Sequence, residues 1–510
     1  MVGRAVRLDF GANLLMIALS HSEMRKRFAA QIDLGQTPIE KVAIPANSRD
    51  ELPPVLAGLQ WIFANPEINE EIFALLEEKV VGDKNKETGR PGMDLWQLLV
   101  LGVVRLALDC DYDRLEHIAN YDLLVRAMMG LPDFCGQKRF HHKTISDNVC
   151  HVDAELLEKI NEIVVKHGRA AIQKKGAERL EVKIDSYVLE SNVHYPTDCN
   201  LLWDAVRKCV ELLGNLHQSL GLGGWRKAKY WKRQIKNAMR ACEKIASAGG
   251  ANKDERLLKS AKAYLELARR LEKKINQGLE ELKKCVLSGT QLATLGQIGY
   301  FHEMLVKHID LVERRLVHKE TIPHAEKVFS LFEPHTELIK KGKSMPPVEF
   351  GHRLLLGTEQ HGLVIDYKVM EGGRESAEVM PVVERVQKRF GTDSIASLST
   401  DKGFSTVPIR KELEETIDHV VMPKKGRLSI ADQEREQGRK WKKLKDKHST
   451  IESDINCLEH HGLNRCPDKG LEGYKRYVGL GVLAFNLHRI GAALLAQRAE
   501  GQPRRRKKAA

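Results

Sequence analysis

Three acidic residues occupy positions at which carboxylates could hold metal ions. Asp185 lies within an apolar run, 180–189, whose composition is typical of a strand, and Asp401 ends a second such run, 395–401. Glu452 falls on a predicted helix. Two strand-borne aspartates and a helix-borne glutamate can hold two divalent ions, and such a pair of ions can catalyse the cleavage and joining of phosphodiester bonds. The sequence therefore predicts a two-metal site built from carboxylates.

Each of these residues also has an alternative, purely structural interpretation. Asp185 could pair with Lys183 or with a distant arginine, because a buried carboxylate without a partner is costly. Asp401 could be a turn residue at the end of its strand. Glu452 lies beside the apolar stripe of its helix, as many glutamates without a function do.

The composition favours a polyanionic partner. The chain has 510 residues, and its 82 lysines and arginines outnumber its 69 aspartates and glutamates, which gives a formal net charge of +13. Such an excess is typical of proteins that bind nucleic acid, although it also fits a basic surface without a partner. The basic tail, 498–510, is expected to stay disordered and to add non-specific affinity for phosphates.

The cysteines and the apolar segments indicate a soluble protein of a reducing compartment. Nine cysteines occur without a CxxC pair, as expected for free thiols. One close group, Cys457, His460, His461 and Cys466, could bind zinc, but its spacing matches no familiar zinc finger. No stretch is expected to cross a bilayer, and the apolar run at 14–19 is too short to do so.

The pattern divides the rest of the chain into three regions. Residues 1–170 read as short helices separated by turns, which suits a helical DNA-binding region or a helical scaffold. The regions 178–200 and 345–497 contain strands and helices in turn, and we expect them to form one α/β domain in which the strand at 182–189 pairs with the later strands. Region 201–344 is mainly helical and would then be an insertion, with a coiled-coil partner interface as the alternative.

Several segments, taken in this order, resemble the DDE transposases of bacterial insertion sequences, whose catalytic domain is ribonuclease-H-like. The most specific segment surrounds the first aspartate and reads KIDSYVLESNVHYPTD at 183–198. The other segments are TGRP at 88–91, HKTIS at 142–146, FEPHTE at 332–337, DKGF at 401–404 and STIE at 449–452. The chain is similar to this family over most of its length.

The resemblance implies metal-dependent cleavage at the ends of an insertion sequence and transfer of the resulting 3′ hydroxyl into target DNA. Asp185 and Asp401 take the places of the family's two aspartates, and Glu452 is the preferred third carboxylate, with Glu472 as the runner-up. The implied cofactors are two Mg²⁺ or Mn²⁺ ions. The alternatives are a catalytically inactive DNA-binding protein derived from a transposase and another metal-dependent nuclease of the same fold.

Basic residues at several positions are candidates for DNA contacts. His448 lies one turn before the preferred glutamate and could contact a phosphate when protonated. Lys402 follows the second aspartate, and Lys143 lies near the start of a predicted helix. Lys232 and Arg233 belong to a basic stretch of the insertion, where aromatic neighbours could stack on a base or pack the insertion's own core. The expected assembly is a homodimer or larger on DNA, in the bacterial cytoplasm and associated with the nucleoid.

Overall fold

A computed structural model of the chain describes residues 25–28, 35–82, 92–132, 138–173, 178–340 and 347–500. These residues form two compact units. The first unit combines residues up to Glu190 with those from His352 onward, and the second comprises Ser191–Gly351. The second unit is therefore inserted, in sequence, between two stretches of the first. The TGRP segment at 88–91 and residues 501–510 of the predicted tail lie outside the described residues. The first three residues of that tail, 498–500, were predicted to be disordered but end the helix Gly470–Glu500.

The first unit begins with a set of helices. They are α1 (Leu52–Ala64), α2 (Pro66–Leu76), α3 (Leu95–Ala107), α4 (Tyr112–Tyr121), α5 (Leu123–Met128), α6 (His142–Val149) and α7 (Ala154–Ile172). Asn65, Asp111 and Asp153 cap α2, α4 and α7, because each side chain accepts a backbone N–H of the first turn that has no partner within the helix. Helix α3 is buried over its whole length, in agreement with the apolar run that predicts it.

The second unit contains a bundle of four long helices, α8 (Asp198–Ser219), α9 (Ala228–Ser247), α10 (Lys253–Leu282) and α11 (Gly289–Leu316). Its core is separate from the core of the first unit. Trp225 is buried in this core and Trp231 packs against it, whereas Tyr230 is exposed. The tryptophans therefore fit the prediction that aromatic residues here pack the insertion itself.

The strands form a mixed seven-stranded sheet. They are β1 (Leu180–Ser191), β2 (Glu337–Lys340), β3 (Val348–Thr358), β4 (Val364–Val369), β5 (Ile395–Thr400), β6 (His419–Val421) and β7 (Arg465–Cys466). The order is β2-β3-β1-β5-β6, with β4 paired to β3 and β7 paired to β1. Strands β1, β5 and β6 are parallel, and β3 runs antiparallel to β2 and β4. The predicted pairing of the strand at 182–189 with later strands is confirmed.

Helices connect and cover the later strands of the first unit. They are α12 (Val379–Phe390), α13 (Val407–Thr416), α14 (Ile430–Gln437), α15 (Arg439–His448), α16 (Thr450–Leu458) and α17 (Gly470–Glu500). Ser449, between α15 and α16, keeps helical backbone angles, so the two helices are almost continuous. The protein is thus a mixed α/β structure with a helical N-terminal part and a mainly helical insertion, as the sequence predicts at this level.

Helix α17 packs against the N-terminal helices and shares their hydrophobic core. It approaches α1 closely at two glycines. A Cβ at Gly58 would lie 2.4 Å from the carbonyl oxygen of Leu487, and one at Gly491 would lie 1.8 Å from that of Pro54. The helix is long and apolar enough to span a membrane, contrary to the sequence prediction that no stretch is, but 72% of its apolar window is buried inside the protein. That burial is consistent with a core helix of a soluble protein.

Candidate metal centre

Strands β1 and β5 bring the two predicted aspartates side by side. Lys183 pairs with Ser399, and Ile184 pairs with Thr400, in a parallel register. Asp185 is the residue after Ile184 in β1. Asp401 directly follows Thr400, the last residue of β5, and keeps extended backbone angles. Neighbouring strands lie about 4.8 Å apart, so one divalent ion could contact both carboxylates.

The two carboxylates have opposite electrostatic environments. Burial, with a contribution from the nearby charges of Asp401 and Glu375, raises the pKa of Asp185 to about 6. The backbone N–H of Ser186, which donates to Asp185 Oδ1 at 2.8 Å, opposes this rise. Hydrogen bonding with His448 and the charge of Lys445 lower the pKa of Asp401 to about 2. The site therefore combines one desolvated carboxylate with one that is held ionised.

Helix α15 supplies two basic side chains beside Asp401. His448 Nε2 lies 3.5 Å from Asp401 Oδ1, and Lys445 Nζ lies 3.3 Å from the same atom. The other ring nitrogen of His448, Nδ1, is 3.1 Å from the hydroxyl of Ser399 on β5. His448 is only 3% exposed. The sequence predicts a phosphate contact for His448, whereas the structure places its ring against Ser399 and Asp401, where it can fix the position of the aspartate.

Lys183 does not pair with Asp185, which was one structural alternative for the aspartate. The Lys183 amino group donates to Thr450 Oγ1 at 2.8 Å and lies 4.0 Å from Asp454 Oδ2. Both partners belong to α16, so this buried lysine ties the start of α16 to the strand that carries Asp185. Across the described residues, no ion pair joins Lys183 to Asp185.

The contacts of the flanking residues favour Glu452 over Glu472 as a third carboxylate. Glu452 is exposed on the first turn of α16, one helical turn after His448 and two residues after Thr450, both of which contact the strands of the aspartates. Glu472 lies in the first turn of α17, and its side chain is 80% exposed beside Lys475. Tyr474, two residues later, donates its hydroxyl to the carbonyl of Leu189 on β1, four residues beyond Asp185.

A further carboxylate, Glu375, lies at the site and was missed by the sequence analysis. Its Oε1 accepts the Ser186 hydroxyl at 2.5 Å and lies 3.4 Å from Arg353 Nε. Its Oε2 lies 3.3 Å from the position of a Cβ at Gly403, in the turn after Asp401. The sequence contains only a weak signal for Glu375, because it is simply an acidic residue that follows a Gly-Gly pair. In the structure these two glycines, Gly372 and Gly373, have positive φ.

The remaining DNA-contact candidates lie in different parts of the chain. Lys402 is exposed in the turn after Asp401, and Lys143 is exposed on the first turn of α6. Arg233 is exposed on α9 of the second unit, and Lys232 is half-buried there, 3.8 Å from Glu211. These positions do not test contact with DNA, so the four DNA contacts stay predictions.

The alternative zinc group does not assemble within the described residues. Two groups have three ligand atoms within 4.8 Å of one another there, Glu116 with His141 and His142, and Glu67 with Glu71 and His167. Asp185, Asp401 and Glu452 do not form such a group together either. His461 instead uses Nδ1 to contact the carbonyl of Ala107 at 3.2 Å. The eight cysteines that the structure describes are free thiols, as the sequence predicts.

Comparison with known proteins gives no further guidance. No family model, curated protein or solved structure matches the chain. The interpretation of the site therefore depends on its geometry and on the sequence segments described above.

Proposed function

We propose that the protein is a DNA transposase that cleaves the ends of an insertion sequence in a metal-dependent reaction and joins the 3′ hydroxyl to target DNA. The supporting observation is that Asp185 and Asp401 directly follow Ile184 and Thr400, which pair on neighbouring parallel strands. The helix that carries Glu452 starts near them, since Lys183 contacts its first residue, Thr450, and Asp401 contacts His448, two residues before it. We further propose that the α/β part of the first unit is a ribonuclease-H-like catalytic domain.

The donor set fits Mg²⁺ or Mn²⁺. Asp185, Asp401 and Glu452 would hold the ions, and all three supply carboxylate oxygens, which are the ligands these cations prefer. The charged form of Asp185 is disfavoured by desolvation and by the negative charge of Asp401, and a bound cation would offset both effects. When bound, two such ions stabilise the attacking and leaving oxygens of an in-line displacement at phosphorus.

The residues around the aspartates hold them in place for this chemistry. His448 and Lys445 fix Asp401 from α15, and Ser399 orients the His448 ring. A buried, hydrogen-bonded support of this kind restricts the movement of a ligand. Exposed basic residues, among them Lys402, Lys143 and Arg233, would contact the DNA backbone. We further propose a homodimer or larger assembly on DNA, a DNA-binding role for the N-terminal helices, and a location in the bacterial cytoplasm.

A plasmid that carries the gene with its flanking DNA would test the function. With Mg²⁺ or Mn²⁺, we expect cleavage at the element ends and joining of these ends to a target plasmid. Asp185→Asn and Asp401→Asn should abolish both reactions and retain DNA binding in a gel-shift assay. Glu181→Gln is a matched control, because Glu181 lies four residues before Asp185 on β1 and pairs with Lys447; this variant should remain active.

Each other outcome points to a different function. Cleavage without joining would favour a simple metal-dependent nuclease, because nucleases release ends and do not transfer them. DNA binding without cleavage in either metal would favour an inactive DNA-binding derivative. Cleavage that survives Asp185→Asn or Asp401→Asn would refute the catalytic assignment.

A further inference from the structure

A second group of metal-ligand side chains lies in the N-terminal helical part, between α4 and the start of α6. One ring nitrogen of His141, one of His142 and one carboxylate oxygen of Glu116 lie within 4.8 Å of one another. Nδ1 of His142 is 2.9 Å from Glu116 Oε2 and 3.4 Å from Asp113 Oδ1. The centroids of the two imidazole rings are 4.1 Å apart.

The backbone around these side chains is held in place by hydrogen bonds. Phe140 is buried, its N–H donates to Asn120 Oδ1, and its carbonyl accepts from Asn120 Nδ2, both at 2.8 Å. The backbone N–H of His142 donates to Glu116 Oε2 at 2.6 Å. These bonds connect the start of α6 to α4, so the backbone positions of the histidines relative to Glu116 are fixed, whereas their side chains can still rotate.

A hydrogen bond at the start of α6 determines which ring nitrogen of His141 is available to bind a ligand. The His141 side chain is the N-cap of α6, and its Nδ1 accepts the backbone N–H of Lys143 at 3.3 Å. Thr144 and Ser146 lie inside the helix and do not cap it. With Nδ1 engaged in this way, Nε2 is the nitrogen of His141 that remains for a ligand.

We propose that Glu116, His141 and His142 bind one Zn²⁺-type transition-metal ion, with Asp113 as the fourth ligand. Two imidazoles and a carboxylate match the nitrogen and oxygen ligands of zinc, whereas Mg²⁺ prefers oxygen alone. Bonds of about 2.0–2.2 Å require the ligand atoms to approach one another, and rotation of these partly exposed side chains achieves this. A cleft of about 470 Å³, lined by Asp113, Glu116 and His141 among others, gives access from solvent.

The ion would crosslink two helices of the N-terminal part. Glu116 and Asp113 belong to α4, and the histidines belong to the first turn of α6 and the residue before it. A bound ion would therefore fix the orientation of that turn, which carries the exposed Lys143. This inference does not depend on the proposed transposase activity.

Zinc titration of the full chain would test the proposal. Protein carrying Asp185→Asn and Asp401→Asn, stripped of metal by a chelator, would be titrated with Zn²⁺ in excess Mg²⁺ and followed by calorimetry. We expect one Zn²⁺ per chain. In that background, Glu116→Gln and His142→Gln should each weaken binding by about tenfold or more. Glu116→Gln keeps an oxygen that can accept the His142 N–H, so the start of α6 is retained.

His167→Gln is the matched control, because His167 belongs to the other group of ligand side chains, with Glu67 and Glu71. This variant should bind Zn²⁺ like the parent. Absence of binding, binding unaffected by the Glu116 and His142 variants, or binding lost in the His167 variant would overturn the assignment. Substitution with Co²⁺ adds a spectroscopic test: a thiolate charge-transfer band would place the ion at a cysteine and would also overturn it.

Discussion

Asp185 and Asp401 have different proton affinities because their neighbours differ. Asp185 is half-buried beside other carboxylates, which disfavours its charged form, whereas Asp401 faces His448 and Lys445. Residue types alone indicate that these aspartates could bind metal, and the sequence analysis found both. It could not reveal their partners, because His448 and Lys445 are distant from Asp401 in sequence and are brought to it only by the packing of α15 on β5.

The choice between the two glutamates gives a direct prediction. Glu452→Gln should abolish metal-dependent cleavage, because Glu452 follows residues that contact both aspartate-bearing strands. Glu472→Gln should leave cleavage unchanged, because the neighbouring Tyr474 meets β1 at Leu189, four residues beyond Asp185. Cleavage by the two variants under identical conditions measures the difference, and the reverse pattern would assign the role to Glu472.

Glu375 gives a second prediction at this scale. Glu375→Gln keeps a side-chain oxygen for the Ser186 hydroxyl but removes a negative charge beside Asp185. We expect the affinity for Mn²⁺, measured by calorimetry, to fall by about tenfold. Glu375 and Glu378 are the two ends of a short 3₁₀ helix, and Glu378 pairs with Lys368. Glu378→Gln is therefore the control and should bind Mn²⁺ normally. Equal affinities for both variants would remove Glu375 from the site.

Helix and strand periodicity predicts most elements of the first unit well. The strand-like run at 395–401 corresponds to β5, which ends at Thr400, and the run at 180–189 corresponds to β1, which ends at Ser191. Strands β2 and β7 were not predicted, because two to four residues are too few to show an alternating pattern. Their pairing depends on neighbours that are distant in sequence.

The crossing of α1 and α17 depends on glycine, which gives a third prediction. Gly491→Ala should destabilise the protein by about 1–3 kcal/mol, because its Cβ would overlap the Pro54 carbonyl. Gly299 also lies inside a helix, α11, but has open space around it. Gly299→Ala should stabilise that helix by about 0.5–1 kcal/mol.

Denaturant unfolding followed by circular dichroism would compare the two glycine variants with the parent. The expected changes have opposite signs because only one site is crowded. A Gly491→Ala protein as stable as the parent would show that α1 and α17 are not packed backbone to backbone.

Over the whole molecule, buried histidines link folding to pH. His461 is 3% exposed, and burial, together with the neighbouring His488, lowers its pKa to about 4. The unfolded chain therefore takes up this proton first as the pH falls below about 6.5. The stability that neutral His461 provides is complete above that pH and is lost progressively down to about pH 4.

This linkage predicts a loss of about 3 kcal/mol in the free energy of unfolding between pH 7 and pH 4 from this group. His461→Asn should reduce the pH dependence, because an amide can still donate to the Ala107 carbonyl but does not titrate. The exposed His318, which is distant from His461 in sequence, supplies the control variant, His318→Asn, whose pH dependence should match the parent. Identical pH profiles for all three proteins would contradict the account.

The division of the molecule into units was less predictable than its elements. Hydrophobic periodicity indicates which face of a helix is buried but not which helix covers it. The core shared by α17 and the N-terminal helices connects residues at opposite ends of the chain, and the sequence analysis treated them as separate regions. The helical insertion was recognisable because the pattern changes from strand to helix at its boundaries.

Anomalous scattering from a crystal soaked in Mn²⁺ would test the proposed centre most directly. The account predicts manganese between the carboxylates of Asp185 and Asp401, and no manganese there in crystals of Asp185→Asn. A fully soaked crystal with no manganese at these two residues, or with manganese bound only elsewhere in the chain, would contradict it.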